Sequence, residues 1–295
     1  MNGPARTAAR FEAEALADMA GLAERHPSIF RVNWPLRALV VTIVAVLAGL
    51  FLWGFWALGF SFARIAGGLG KLVEFAGFML PPSPGSYTTF LSYLDALAQT
   101  LAIAFLGTLT AAILAFPFGF LAAKNVIPNV FLHFSLRRGL DVVRGVDVLI
   151  WALIWINVVG LGPFAGILAV ATSNFGEFGK LFSEAIEAMD KKAVEGVASA
   201  GGGKLHQVRF GLLPQVFPVI VSQVLYYFES NTRSATIIGV VGAGGVGLHL
   251  YEQIRMLEWQ HVSFLVLMIL ATVAVIDFVS GRLRFAIIGN AKIAA

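Results

Sequence analysis

The sequence predicts an all-α fold, a polytopic membrane bundle of about six transmembrane helices with one long polar loop on the cytoplasmic side. Three observations predict it. Hydrophobic residues make up 58% of the chain and charged residues only 13%, where a soluble domain carries about 25% charged residues. The charges are missing in blocks: none lies between Arg37 and Arg64, between Asp95 and Lys124, or between Asp147 and Glu177. Each gap exceeds the ~20 residues that carry a helix across a ~30 Å hydrocarbon core. The basic residues are also sorted between alternate loops. A soluble globular fold is excluded, because about half the charge needed to cover a wet surface is absent.

Residues 1–35 interleave Glu12, Glu14, Asp18, Glu24 and Arg25 with Phe11, Leu16, Met19 and Leu22 near helical spacing. They read as an amphipathic cytoplasmic segment, not as the basic-then-apolar layout of a cleavable signal peptide. The first span runs from Leu36 to Phe60 and the second from about Leu94 to Ala123. Gly160-Leu161-Gly162-Pro163 breaks the uncharged stretch after Asp147. A third helix is therefore expected from about Leu140 to Val159, and a fourth from Phe164. The fifth runs from Pro214 to about Val241 and the sixth from about His261 to Ser280. The transmembrane domain then covers residues 36–285, and residues 286–295 form a cytoplasmic tail. With the N-terminus inside, residues 1–37, 124–144, 177–211 and 282–295 hold seventeen of the 21 basic residues, and the outer segments hold three, Arg64, Lys71 and Arg255. That asymmetry places both termini and the 177–211 loop in the cytoplasm. The net charge of +4 is loop charge that sets topology, and it implies no nucleic-acid partner. No cysteine is present, so thiol chemistry and cysteine-based metal sites are excluded.

The cytoplasmic loop carries a spaced pattern. Glu195-Gly196-Val197-Ala198-Ser199-Ala200-Gly201 is followed, after nine residues, by Gly211-Leu212-Leu213-Pro214. A short helix after Met189 is expected to meet a turn at Gly201-Gly202-Gly203 and a second helix from Lys204. Two short helices joined by glycine make a compact knob, and Ala193, Gly196, Ala198 and Ala200 let another protein approach closely. The pattern, within an extended loop of residues 184–214, resembles the EAA loop of ABC importer permeases in Glu195, Gly201, Leu213, Pro214 and their spacing. It departs in Gly196 and Val197, which replace two alanines, and in Gly211, which replaces an isoleucine. The resemblance implies that the knob seats in a groove of an ATPase subunit.

Two glycine motifs are deceptive. Gly203-Lys204 looks like the end of a phosphate-binding loop, but Ala198 replaces its first glycine and Leu205 its Ser or Thr. This chain is therefore expected to hold no cofactor, with ATP and Mg²⁺ on a partner subunit. Gly242-Ala243-Gly244-Gly245-Val246-Gly247 fits the dinucleotide fingerprint, yet Leu267 stands where its acidic residue is needed and the region lies at a span's end. Gly242, Gly244, Gly245 and Gly247 instead permit close helix approach or a helix break, which in a permease would serve as the outer gate.

The fifth span carries Phe228-Glu229-Ser230-Asn231-Thr232-Arg233-Ser234. Glu229 falls about 22 Å along the helix from Pro214, near mid-membrane, where a charge costs at least ~2.5 kcal/mol and marks function or pairing. Glu229 and Arg233 stand four apart, in the favourable order for an ion pair. Glu229, Asn231, Arg233, Ser234 and Thr236 are the candidate lining of a path for an oxyanion, which a planar guanidinium suits. The other reading of Glu229 and Arg233 is a structural pair.

The run from Glu184 through Leu213-Pro214-Gln215-Val216, then Phe228-Glu229-Ser230-Asn231, Arg233-Ser234-Ala235-Thr236 and the glycine run, resembles permeases of phosphonate ABC importers. Gly160-Leu161-Gly162-Pro163-Phe164-Ala165-Gly166 and Gln99-Thr100 with Gly107-Thr108 are similar to that group as well, so the resemblance covers about residues 90–285. Asp147 departs from it, standing where many members have proline. The resemblance implies a MetI-like permease fold in a bacterial cytoplasmic membrane. It also implies a second permease copy, two ATPase subunits and an extracytoplasmic phosphonate-binding protein. The alternative is a stand-alone secondary transporter coupled through Glu229 or Asp277. A membrane enzyme has no support: the five histidines form no i, i+4 ligand pair and no nucleophile adjoins a base.

Overall fold

The computed structural model describes Gly21, residues 34–127 and residues 129–293, with residues 288–293 as backbone only. No strand occurs among the described residues. The expected N-terminal amphipathic helix falls almost wholly outside them. Two compact units are present, residues 1–73 and residues 74–295.

The first unit holds α1 (Trp34–Ala57) and most of α2 (Phe62–Phe78). α1 buries no residue and exposes apolar side chains all round, as a helix surrounded by hydrocarbon does. α2 occupies a stretch expected from sequence to be an outer loop. Its charges, Arg64, Lys71 and Glu74, obscure an apolar stripe of Phe62, Ile65, Leu69, Leu72 and Val73 at helical spacing.

The second unit runs α3 (Tyr87–Leu121), α4 (Val130–Arg144), α5 (Val148–Val159), α6 (Pro163–Glu187), α7 (Lys191–Ser199), α8 (Lys204–Ala243), α9 (Val246–Arg255) and α10 (Trp259–Ile293). Of the described helices, α1, α3, α8 and α10 are each long and apolar enough to cross a membrane. α4 and α5 make a fifth span if taken together, although they bend by 83° between them. The expected third helix is thus two helices. Asp147 starts the second, its carboxylate accepting from Leu149 N–H at 2.8 Å. The expected fourth helix is α6. With Asn174, Glu177 and Lys180 along it, α6 is too polar to count as a span by composition. It also buries more residues than any other described helix, so protein rather than lipid surrounds it.

Lipid supplies no hydrophobic drive between helices, so close backbone approach through small residues holds such a bundle together. A Cβ on Gly107 of α3 would lie 2.6 Å from Val170 Cβ of α6, and one on Gly119 would lie 2.7 Å from Phe182 Cβ. A Cβ on Gly176 of α6 would meet Arg144 N of α4 at 2.7 Å. Three apolar layers follow α3 from end to end. Tyr93 and Ala96 pack with Val246 and Leu265, Ile103 with Val170 and Ile238, and Ala115 with Phe182, Leu212 and Val216.

Two helices outrun their expected ends. α8 begins at Lys204, so the second loop helix and the fifth span are one element. Its Gln207–Leu212 segment is π-helical just before Pro214, and the wider turn accommodates a residue that lacks an N–H. α10 continues past Ser280 to Ile293.

Candidate functional site

α7 and the start of α8 form the expected pair of helices around a glycine turn. Asp190 caps α7 by accepting from Lys192 N–H at 3.0 Å. At its other end Gly202 N–H donates to Val197 C=O at 3.0 Å and Gly201 N–H to Ala198 C=O at 2.9 Å, with Gly201 at φ +83°. This is a Schellman ending, whose left-handed residue favours glycine. The outer surface is open. Glu195 and Gly196 are exposed, and a Cβ on Gly196, Gly201 or Gly203 would meet nothing within 4 Å. The underside is closed: a Cβ on Gly211 would lie 2.9 Å from Val194 Cα. Gln215 Nε2 donates to Gly211 C=O at 2.7 Å and to Asp190 C=O at 3.3 Å. α7 is therefore clamped backbone to backbone on α8. An isoleucine at position 211 could not fit under Val194, which explains that departure. Leu213 is half-buried and Pro214 exposed. Glu195 borders a cleft of about 450 Å³ with Asn125, Asp190 and Lys204.

At the far end of α8 the glycine run breaks the helix. Gly242, Gly244 and Gly245 have φ of +104°, +78° and +74°, a left-handed sequence that turns the chain into α9. It locks into the α5–α6 turn. Gly162 N–H donates to Gly242 C=O at 3.0 Å, Leu161 covers Gly242, and Pro163 Cγ lies 3.0 Å from where a Gly244 Cβ would be. Thr100 Oγ1 of α3 accepts from Val246 N–H at 2.8 Å, satisfying a donor left open at the start of α9. Gly247 packs on the Thr236 carbonyl and on Gly239. A helix precedes the run, so the context of a dinucleotide fingerprint is absent.

The polar face of α8 contains an ionic cluster. Glu229, 7% exposed, accepts from Arg233 Nη1 at 3.2 Å through Oε1 and from Arg284 Nη2 at 3.1 Å through Oε2. Arg284 belongs to α10. In the sequence the apolar run falters at Ser280 and Gly281, so Arg284 looks like loop charge there. Val246 packs with Leu265 near the start of α10, while Leu225 accepts from Ser280 Oγ further along, so α8 and α10 are antiparallel. Helical side chains lean toward their own N-terminus, which brings Glu229 and Arg284 together. Arg284 Nε also donates to Ser280 C=O at 3.4 Å, and its guanidinium lies 5.7 Å from the Tyr226 ring.

The other expected path residues are placed differently. Asn231 is buried and donates to Thr108 Oγ1 of α3 at 2.8 Å, within the α3–α8 seam. Ser234 and Thr236, both half-buried, donate to the carbonyls of Ser230 and Thr232. The Arg233 side chain is 50% exposed. Asp277 is exposed and has no ion pair or hydrogen bond among the described residues. The Arg282 guanidinium lies 5.0 Å from the Phe278 ring.

Residues 115–288 match the family model described as "Binding-protein-dependent transport system inner membrane component". The chain is 35% identical over 242 residues to the phosphite transport system permease protein PtxC of Stutzerimonas stutzeri, covering 82% of this chain and 87% of that protein. It is 41% identical over 189 residues to the phosphate-import permease protein PhnE of Mycolicibacterium smegmatis, covering 64% of this chain and 36% of that protein. The inward-facing MetNI methionine ABC transporter shares the fold, with a TM-score of 0.61 and 19% identity over 68% of this chain and 99% of that one. A stand-alone secondary transporter is set aside by the family match. The chain belongs to the family of binding-protein-dependent transport system inner membrane components, and is the permease of an ABC importer, not an enzyme.

Proposed function

We propose that this permease carries phosphonate-type oxyanions (phosphonate, phosphite or phosphate) into the cell. It works in a bacterial cytoplasmic membrane with both termini in the cytoplasm. Two copies assemble with two ATPase subunits, which hold ATP and Mg²⁺, and with an extracytoplasmic binding protein. Glu195 and the open face of α7 seat in the ATPase, and the clamp at Gly211 passes its movement to α8. The glycine break of Gly242, Gly244, Gly245 and Gly247 is the outer gate. The relatives' names point to phosphorus oxyanions. The observation that carries the reading is Arg233, a half-exposed guanidinium in a 40-residue membrane helix. A cation cannot face hydrocarbon there without large cost, so its free side meets a watery path, where its planar donors suit an oxyanion.

The test is ATPase stimulation of the reconstituted complex by binding protein loaded with phosphate, phosphite, methylphosphonate, sulfate or methionine. Stimulation by the phosphorus compounds alone is expected. Stimulation by methionine, or by none of the phosphorus compounds, would overturn the reading. Arg233→Lys should retain part of the uptake and Arg233→Gln nearly none, with both complexes assembled.

A further inference from the structure

We infer that Arg284 is the second half of an oxyanion site, and that Glu229 holds the place of the anion between two guanidiniums while the path is empty. This rests on the oxyanion reading above and adds a residue from a different helix to it. The geometry is that of a two-sided clamp. Glu229 uses one oxygen for each arginine, at 3.2 Å to Arg233 and 3.1 Å to Arg284. Each contact is a single N–H···O bond, where a guanidinium presents five donors and favours bidentate contact with carboxylate or phosphate. Donors on both sides thus stay free for a tetrahedral anion.

The charges set the strength. Two guanidiniums and one carboxylate sum to one positive charge, so a singly charged oxyanion neutralises the cluster and a doubly charged one overshoots. A transport site must bind well enough to admit the ion and weakly enough to release it. Glu229 supplies the weakening. It competes for both arginines and reclaims them when the anion leaves. Arg284 comes from α10 and Arg233 from α8, so relative motion of these antiparallel helices opens the clamp. The α7–α8 contact at Gly211 delivers that motion to one of the two helices. A merely structural pair would need one arginine for one carboxylate. Here the carboxylate is nearly buried and has two, one of them half exposed.

The experiment measures binding of radiolabelled inorganic phosphate and phosphite to the detergent-solubilised permease–ATPase complex. The binding protein is left out so that its own anion site does not count. Uptake by the full complex in proteoliposomes is measured in parallel. Arg284→Gln should raise the dissociation constant about tenfold or more, because the remaining Arg233 is then neutralised by Glu229. Glu229→Gln should lower it at least about fivefold while slowing maximal uptake, since the anion is released late. The double change Glu229→Gln with Arg284→Gln restores one net positive charge but not the donors of Arg284. Its affinity should lie between those of Arg284→Gln and wild type, and full recovery would show that Arg284 only neutralises Glu229. If Arg284→Gln fails to assemble, Arg284→Lys keeps the charge and should weaken binding about threefold through loss of planar contact. Unchanged affinity in an assembled Arg284 variant, alongside a loss in Arg233→Gln, would overturn the inference and leave the oxyanion reading standing. So would wild-type uptake of phosphate without measurable binding to the permease–ATPase complex. Absence of both binding and uptake for every phosphorus oxyanion would end the reading and the inference together.

Discussion

Around Gly201 the chain is open, and around Gly242 it is jammed. On the outer side of α7 and its turn, a side chain added to Gly196, Gly201 or Gly203 would meet no atom within 4 Å, and of the turn glycines Gly202 alone is crowded, by Val197. At the α8–α9 break, the same addition to Gly242, Gly244, Gly245 or Gly247 runs into Leu161, Pro163, Thr100 or the Thr236 carbonyl. Both turns are glycine-rich and both need left-handed backbone, at Gly201 in one and at Gly242, Gly244 and Gly245 in the other. The difference teaches that glycine serves two ends of one helix in opposite ways. At the start of α8 it leaves room for something outside the chain. At the end of α8 it lets the chain fill the room itself.

The largest effect should come from filling the crowded end. In Gly247→Ala the new methyl meets the Thr236 carbonyl and the Gly239 backbone, neither of which can rotate away. Overpacking against backbone costs on the order of 3 kcal/mol or more. The purified permease should lose most of its thermal stability or fail to accumulate. A Gly247→Ala variant as stable as the parent would mean that the two ends do not differ as described.

A smaller loss should follow Thr100→Val, which keeps shape and removes one hydroxyl. Val246 N–H, held by Thr100 Oγ1 at 2.8 Å, is then left buried without an acceptor, at a cost of about 1–3 kcal/mol. Thr100→Ser should keep most of the stability. Equal melting temperatures for the Val and Ser variants would show that this bond does not hold the break.

The open turn was legible in the sequence and the crowded one only in part. Glu195, Gly201 and Pro214 lie close together in the chain, so their spacing records local geometry directly. The glycine run announced a break, but its partners, Thr100 and Leu161, are 146 and about 80 residues away, and no local pattern joins them. The ionic cluster divides in the same way. Glu229 and Arg233 share one helix and were visible at i, i+4. Arg284 lies 55 residues on, in a stretch that composition alone assigns to a loop. Asn231 read as a path residue because it sits among polar neighbours, yet a helix turns successive side chains by about 100°, and this one faces Thr108. α2 was hidden by three charges on the face opposite a regular apolar stripe.

The smallest effect on folding should accompany the largest effect on coupling, and Gly196 is where the two separate. Gly201 is a poor probe because its φ of +83° would strain any replacement, so a loss of transport could reflect a damaged turn. Gly196 lies within α7 with no such demand and with open space beside it. Gly196→Ala should leave the isolated permease unchanged or raise its stability by up to ~1 kcal/mol, the helix-propensity difference. Gly196→Trp should also stay within ~0.5 kcal/mol of the parent, since it adds bulk only to a surface free of contacts. In the complex the two should diverge. Alanine should preserve ATPase association and uptake, and tryptophan should abolish both by filling the space that the ATPase needs. Melting temperature of the permease alone, co-purification with the ATPase, and uptake by the reconstituted complex report the three terms independently. Normal co-purification and uptake in Gly196→Trp would remove α7 as the seat. The emptiness around Gly196 and Gly201 would then be no more than an ordinary surface turn.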